Sequence, residues 1–103
     1  MENIENQLNK YQITIYFEMD EEGLKSLPAH RAYINDLIEK NTLEYYTVSM
    51  ESKRVWMIIN AANKQEAEDY LFGSPLIKYW KYEIDELFLY DGQAYRLPSL
   101  QFN

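Results

Sequence analysis

From Tyr11 the chain alternates. Ile13, Ile15 and Phe17 fall on one side, and Gln12, Thr14, Tyr16 and Glu18 on the other. A period of two describes a half-buried strand with one strongly apolar face. Asp20-Glu21-Glu22-Gly23 interrupts it, and Glu21 to Lys25 has room for a helical turn of its own. From about Leu27 to Lys40 the spacing becomes helical. Leu27, His30, Ile34, Leu37 and Ile38 share one side with Tyr33 beside them, opposite Arg31, Asn35, Asp36, Glu39 and Lys40. This pattern predicts an amphipathic helix lying on a sheet. Ser26 stands at its N-cap and Pro28 in its first turn, where a missing N–H costs nothing. Asn41 is placed to end it in a left-handed conformation.

Leu43 to Glu51, with Tyr45, Tyr46, Thr47 and Val48, favours a second strand. After a break at Ser52-Lys53, Arg54 to Ala61 forms a third, with Val55, Met57 and Ile59 facing one way and Trp56 and Ile58 the other. A strand apolar on both faces is covered on both. Asn63-Lys64-Gln65-Glu66 matches a helix-opening capping pattern. Ala67, Tyr70 and Leu71 point inward, Gly73 stops the helix, and Pro75 prevents its continuation. Leu76 to Trp80 is an apolar connector. Tyr82 to Tyr90 is a fourth strand whose alternation slips near Asp85-Glu86, which predicts a bulge or a sheet edge there. Asp91-Gly92 turns the chain into a tail.

The order strand, helix, two strands, helix, strand is the ferredoxin-like β-α-β-β-α-β arrangement. Right-handed crossovers put both helices on one face of a four-stranded antiparallel sheet. The expected fold class is therefore α+β. The organisation is a polar lead-in over residues 1–10, a domain over 11–90, and a tail over 91–103. Tyr95, Leu97, Leu100 and Phe102 mark that tail for packing on the domain or on a partner subunit. The second sheet face would carry Thr14, Tyr16, Trp56, Ile58 and part of the second strand's tyrosines. An exposed aromatic face of that extent is unusual for a monomer, so a homodimer is expected, with one such face covering the other.

Composition sharpens this picture at few points. Ten Tyr, four Phe and two Trp are a heavy aromatic load, suited to half-buried sheets and interfaces. A formal charge of −7, with no run of Lys or Arg, makes nucleic acid a poor partner and an anionic membrane surface a repulsive one. There is no cysteine, which removes disulfides, thiol nucleophiles and thiolate-bound zinc. The first ten residues, MENIENQLNK, lack the apolar stretch of a signal peptide, and no apolar run approaches a bilayer's thickness; a cytoplasmic protein is expected.

Pro28-Ala29-His30-Arg31-Ala32-Tyr33, the run Leu71 to Ile77 with Ser74-Pro75-Leu76, and Tyr82-Glu83-Ile84-Asp85 occur in order along the chain. Together these segments resemble the dimeric α/β barrel superfamily, in particular its muconolactone isomerase-like and YciI-like branches. The resemblance spans roughly residues 11–90. It implies a dimer in which two sheets form one barrel, with further assembly in some members. It also implies a ligand site between sheet and helices or inside the barrel. YciI-like proteins carry a histidine at the start of the first helix and an aspartate before a proline after the second. His30 matches the first. Ser74-Pro75 stands in place of the second, so the acid is missing.

His30 is the only histidine, and an imidazole both takes and gives a proton near neutrality. A proton shuttle alpha to a carbonyl, as an isomerase of lactones needs, uses one such catalytic group plus a hydrogen-bond donor such as Tyr16 or Tyr45; Tyr16, Tyr45 and Trp56 are the substrate-lining candidates. The alternative is a structural histidine, hydrogen-bonded on the helix's apolar stripe. Glu18, Glu83 and Asp85 form a possible carboxylate set at strand ends, or are solvated. One histidine and no calcium-type loop argue against a metal site, and three isolated glycines against a phosphate loop. No cofactor is indicated. Two functions remain open: a small-molecule acid/base isomerase, and a non-catalytic ligand-binding or interaction module of the same fold.

Overall fold

A computed structural model describes residues 8–89 of the chain. The elements run β1 (Asn9–Phe17), α1 (Glu21–Lys25), α2 (Leu27–Glu39), β2 (Leu43–Ser49), β3 (Arg54–Ala61), α3 (Lys64–Leu71), a 3-10 turn (Ile77–Tyr79) and β4 (Trp80–Glu86). The four strands form one antiparallel sheet in the order β2-β3-β1-β4. The molecule is α+β, and this order is compatible with the ferredoxin-like arrangement. Among the described residues no helix is long and apolar enough to cross a membrane. The expected tail over 91–103 lies outside the described residues.

The two central strands carry the core. Tyr11, Ile13 and Ile15 of β1 and Val55, Met57, Ile59 and Ala61 of β3 are buried in one cluster. Ile34 and Leu37 of α2 and Ala67 and Leu71 of α3 close over the same residues, so both longer helices cover one sheet face. Near-complete burial of a Leu or Ile side chain contributes about 1.5–3 kcal/mol, and this cluster is the main source of stability. Tyr82 ties β4 to α3 by donating to the Glu68 carboxylate at 2.6 Å, a bond that pushes the phenol up to about 12.

Several boundaries differ from the sequence expectation, each for a local reason. The first strand begins at Asn9 rather than Tyr11, because Lys10 finds polar partners across the sheet in Glu44 and Asn60. Ser26 occupies the N-cap of α2 but makes no side-chain cap bond, since the backbone arrives there directly from α1 in a helical conformation. Asn41 does end α2 with φ 64°. Gly73 is not left-handed. It is small because Tyr33 crosses it: a Cβ at Gly73 would overlap the Tyr33 phenol, whose hydroxyl donates to the Tyr70 carbonyl at 2.8 Å. Ile38 stays exposed instead of joining the core. The irregularity expected near Asp85 is an edge: β4 keeps an unbroken register with β1 from Tyr11↔Glu86 to Phe17↔Trp80. The register shift of this sheet lies in β2, between Leu43 and Tyr45.

Candidate functional site

The shift in β2 decides which tyrosine meets His30. Leu43 pairs with Ile59, but Tyr45 pairs with Ile58, so the alternation skips one residue. Tyr46, opposite Met57, and Val48, opposite Val55, therefore face the helices, and Tyr45 and Thr47 face away. His30, in the first turns of α2, comes down onto the same side. Its Nε2 lies 2.8 Å from the Tyr46 hydroxyl and its Nδ1 2.8 Å from Ser74 Oγ. Trp80 sets its ring edge-on to the imidazole, with centroids 5.7 Å apart. His30 is only 2% exposed.

Burial disfavours the imidazolium, and the Arg31 guanidinium adds to the effect; together they push His30 down to about 4. The ring is therefore neutral near pH 7, with one N–H and one lone pair. Ser74 settles which nitrogen has which. Its oxygen already accepts the Leu76 N–H at 3.0 Å, and the hydroxyl is buried with His30 as its one acceptor among the described residues. A buried hydroxyl without an acceptor costs about 1–3 kcal/mol, so Ser74 donates to Nδ1. The proton of the ring is then on Nε2 and points at the Tyr46 oxygen. Tyr46 in turn keeps its own O–H free for donation. Burial raises the Tyr46 phenol above its ordinary value, against an opposing pull from Arg31.

This chain of hydrogen bonds ends at a pocket of about 230 Å3. His30 and Tyr46 form its polar floor. Phe17, Leu27, Val55, Leu76 and Trp80 give it apolar walls, and Leu24, Val48 and Met50 stand exposed in its lining. Arg31 is the one charged residue of the lining. Such a site can grip an apolar body and hold one oxygen on the Tyr46 O–H, with the His30 N–H stabilising negative charge that grows on the phenol oxygen.

The residues expected around a ligand are divided by the sheet. Tyr16, Tyr45 and Trp56 stand on the face turned away from the helices, and His30 stands beneath the helices. A single chain does not bring them together. Glu83 and Asp85 lie along the β4 edge opposite Thr14 and Gln12, and Glu18 is at the far end of β1, so the three carboxylates do not converge. Among the described residues no group of three or more His, Asp or Glu side chains could hold a metal ion. Tyr46, Ser74 as a hydrogen-bond partner, and Arg31 are the site residues that sequence reasoning missed. In the sequence Ser74-Pro75 is only a departure from a family pattern, and Arg31, exposed as the helical pattern implies, gives no sign there that it lines the pocket. No protein-family model and no curated protein matches this chain.

Proposed function

We propose that the chain is a small-molecule-binding protein of the dimeric α/β barrel type, resembling the muconolactone isomerase-like branch, and that it acts as an acid/base isomerase. One observation carries this reading: the Ser74–His30–Tyr46 chain of hydrogen bonds ends in an apolar pocket. In the reaction, a carbonyl oxygen of the ligand accepts the Tyr46 O–H. As a water molecule admitted at the exposed rim of Leu24, Val48 and Met50 takes the alpha proton, that bond stabilises the charge developing on the carbonyl oxygen, and solvent returns a proton to the isomerised carbon as the carbonyl re-forms. His30 has both ring nitrogens occupied, so it acts through Tyr46 as a positioning residue. The homodimer pairs the two outer sheet faces; Tyr16, Tyr45 and Trp56 then meet the partner rather than the pocket's ligand.

Deuterium incorporation alpha to the carbonyl of small lactones in D2O, followed by NMR, tests the chemistry. The expected result is catalysed exchange that Tyr46→Phe slows about 100-fold or more without loss of folding. Binding without exchange favours the second reading, a non-catalytic ligand-binding module. That reading draws on the complete hydrogen bonding and burial of His30, which are also what a structural histidine shows. Absence of both binding and exchange removes the pocket as a functional site.

A further inference from the structure

Arg31 has no assigned task. Among the described residues it forms no ion pair. The position four residues on is Asn35, so the helix offers it no acid at the usual spacing. Yet, exposed on α2, it also stands in the lining of the pocket, and its charge acts on both His30 and Tyr46. Placing an unpaired guanidinium beside a buried imidazole disfavours that imidazole's charged form, so the residue brings the site no electrostatic benefit in the absence of a ligand. The arrangement becomes favourable when an anion arrives.

We infer that the pocket selects a small monocarboxylate, with its apolar body between Phe17, Leu27 and Trp80 and its carboxylate on the Arg31 guanidinium. This rests on the pocket being the ligand site. The pocket, about 230 Å3, is small, which suits a body such as a short alkyl chain or one ring. A planar guanidinium accepts a carboxylate through two parallel N–H bonds, a match that an ammonium lacks. The net charge of −7 opposes anions at long range, but beyond about 8 Å it is largely screened at physiological salt, and the one charged residue of the lining is Arg31.

Paired probes test this: hexanoate against 1-hexanol, and phenylacetate against phenylacetamide, titrated by calorimetry and by amide NMR shifts. In the native chain the carboxylates bind about tenfold or more tighter than their neutral partners. In Arg31→Gln the preference vanishes while 1-hexanol binding is retained, and Arg31→Lys recovers only part of it. Equal binding of acid and neutral probes in the native chain overturns the carboxylate assignment and leaves the pocket standing. Failure of all four probes to perturb pocket resonances overturns the assignment and the pocket together. A carboxylate preference that survives Arg31→Gln overturns the role of Arg31.

Discussion

His30 is held neutral by its surroundings, and this makes stability depend on pH in a definite direction. Its ordinary value of 6.5 applies to the unfolded chain, and the folded value is about 4. Between these limits the unfolded state binds the extra proton. The contribution is therefore complete above pH 6.5 and is lost as the pH falls towards 4. The shift corresponds to on the order of 3 kcal/mol, with a slope of at most about 1.4 kcal/mol per pH unit. Urea unfolding at pH 7, 6 and 5 should show this slope, and His30→Asn should remove most of it. The same slope in the variant would mean that other groups set the acid sensitivity. Gly73 presents a steric constraint instead. Gly73→Ala places a methyl group against the Tyr33 phenol, and the expected cost is about 1–3 kcal/mol in chemical denaturation. Tyr33→Ala should relieve part of that cost, so a double-mutant cycle should give a clear coupling, whereas independent effects would mean that Tyr33 simply swings away.

Among the elements, α3 shows how a local signal becomes structure. Asn63 Oδ1 accepts the Glu66 N–H at 2.8 Å, and the Glu66 carboxylate reaches back to the Ala62 N–H at 2.6 Å. Asn63→Ala should lower stability by about 1 kcal/mol, and a Tm unchanged within error would show that packing of Ala67 and Leu71 alone holds the helix. Capping and periodicity were legible because they involve residues within one turn of each other. β3 was found with its limits at Arg54 and Ala61, and the stripe of α2 with Ile34 and Leu37 inward. The site was less legible. A strict alternation starting from Leu43 puts Tyr45 on the helix side; the shift between Leu43 and Tyr45 reverses this and delivers Tyr46 to His30. Nothing in the run Leu43 to Val48 announces that skip, because tyrosine stands at both positions. Arg31 is exposed, as its place opposite the apolar stripe implies, and its part in the pocket is the feature the helical pattern does not show. It is one residue from His30, and a long side chain there reaches the lining of the pocket while staying exposed.

For the whole molecule, the open question of packing is what covers the outer sheet face. Tyr16 and Tyr45 are 38% and 37% exposed there, whereas Ile58 is only 1% exposed. The face is mixed in character: Trp56 and Ile58 lie at its centre, Glu83 and Asp85 along β4, and Arg54 stacks on Tyr16 with 5.0 Å to the ring centroid. Four strands about 4.8 Å apart and seven residues long at ~3.3 Å each present a plane of roughly 450 Å2. A stable interface buries about 800 Å2 per partner. The proposed homodimer thus needs more surface than the flat sheet supplies, and residues 90–103 hold the apolar side chains that can add it: Tyr95, Leu97, Leu100 and Phe102. Two changes separate these contributions. Trp56→Arg places a charge at the centre of the face and should convert the dimer to a monomer at micromolar concentration in sedimentation equilibrium, with unchanged far-ultraviolet circular dichroism. Removal of residues 91–103 should leave dimers that dissociate at higher concentration than the full chain. A full chain that sediments as a monomer refutes the paired sheets outright; a truncated chain that dimerises as tightly as the full one assigns the missing area elsewhere, to the helices or the pocket rim at Leu24 and Met50.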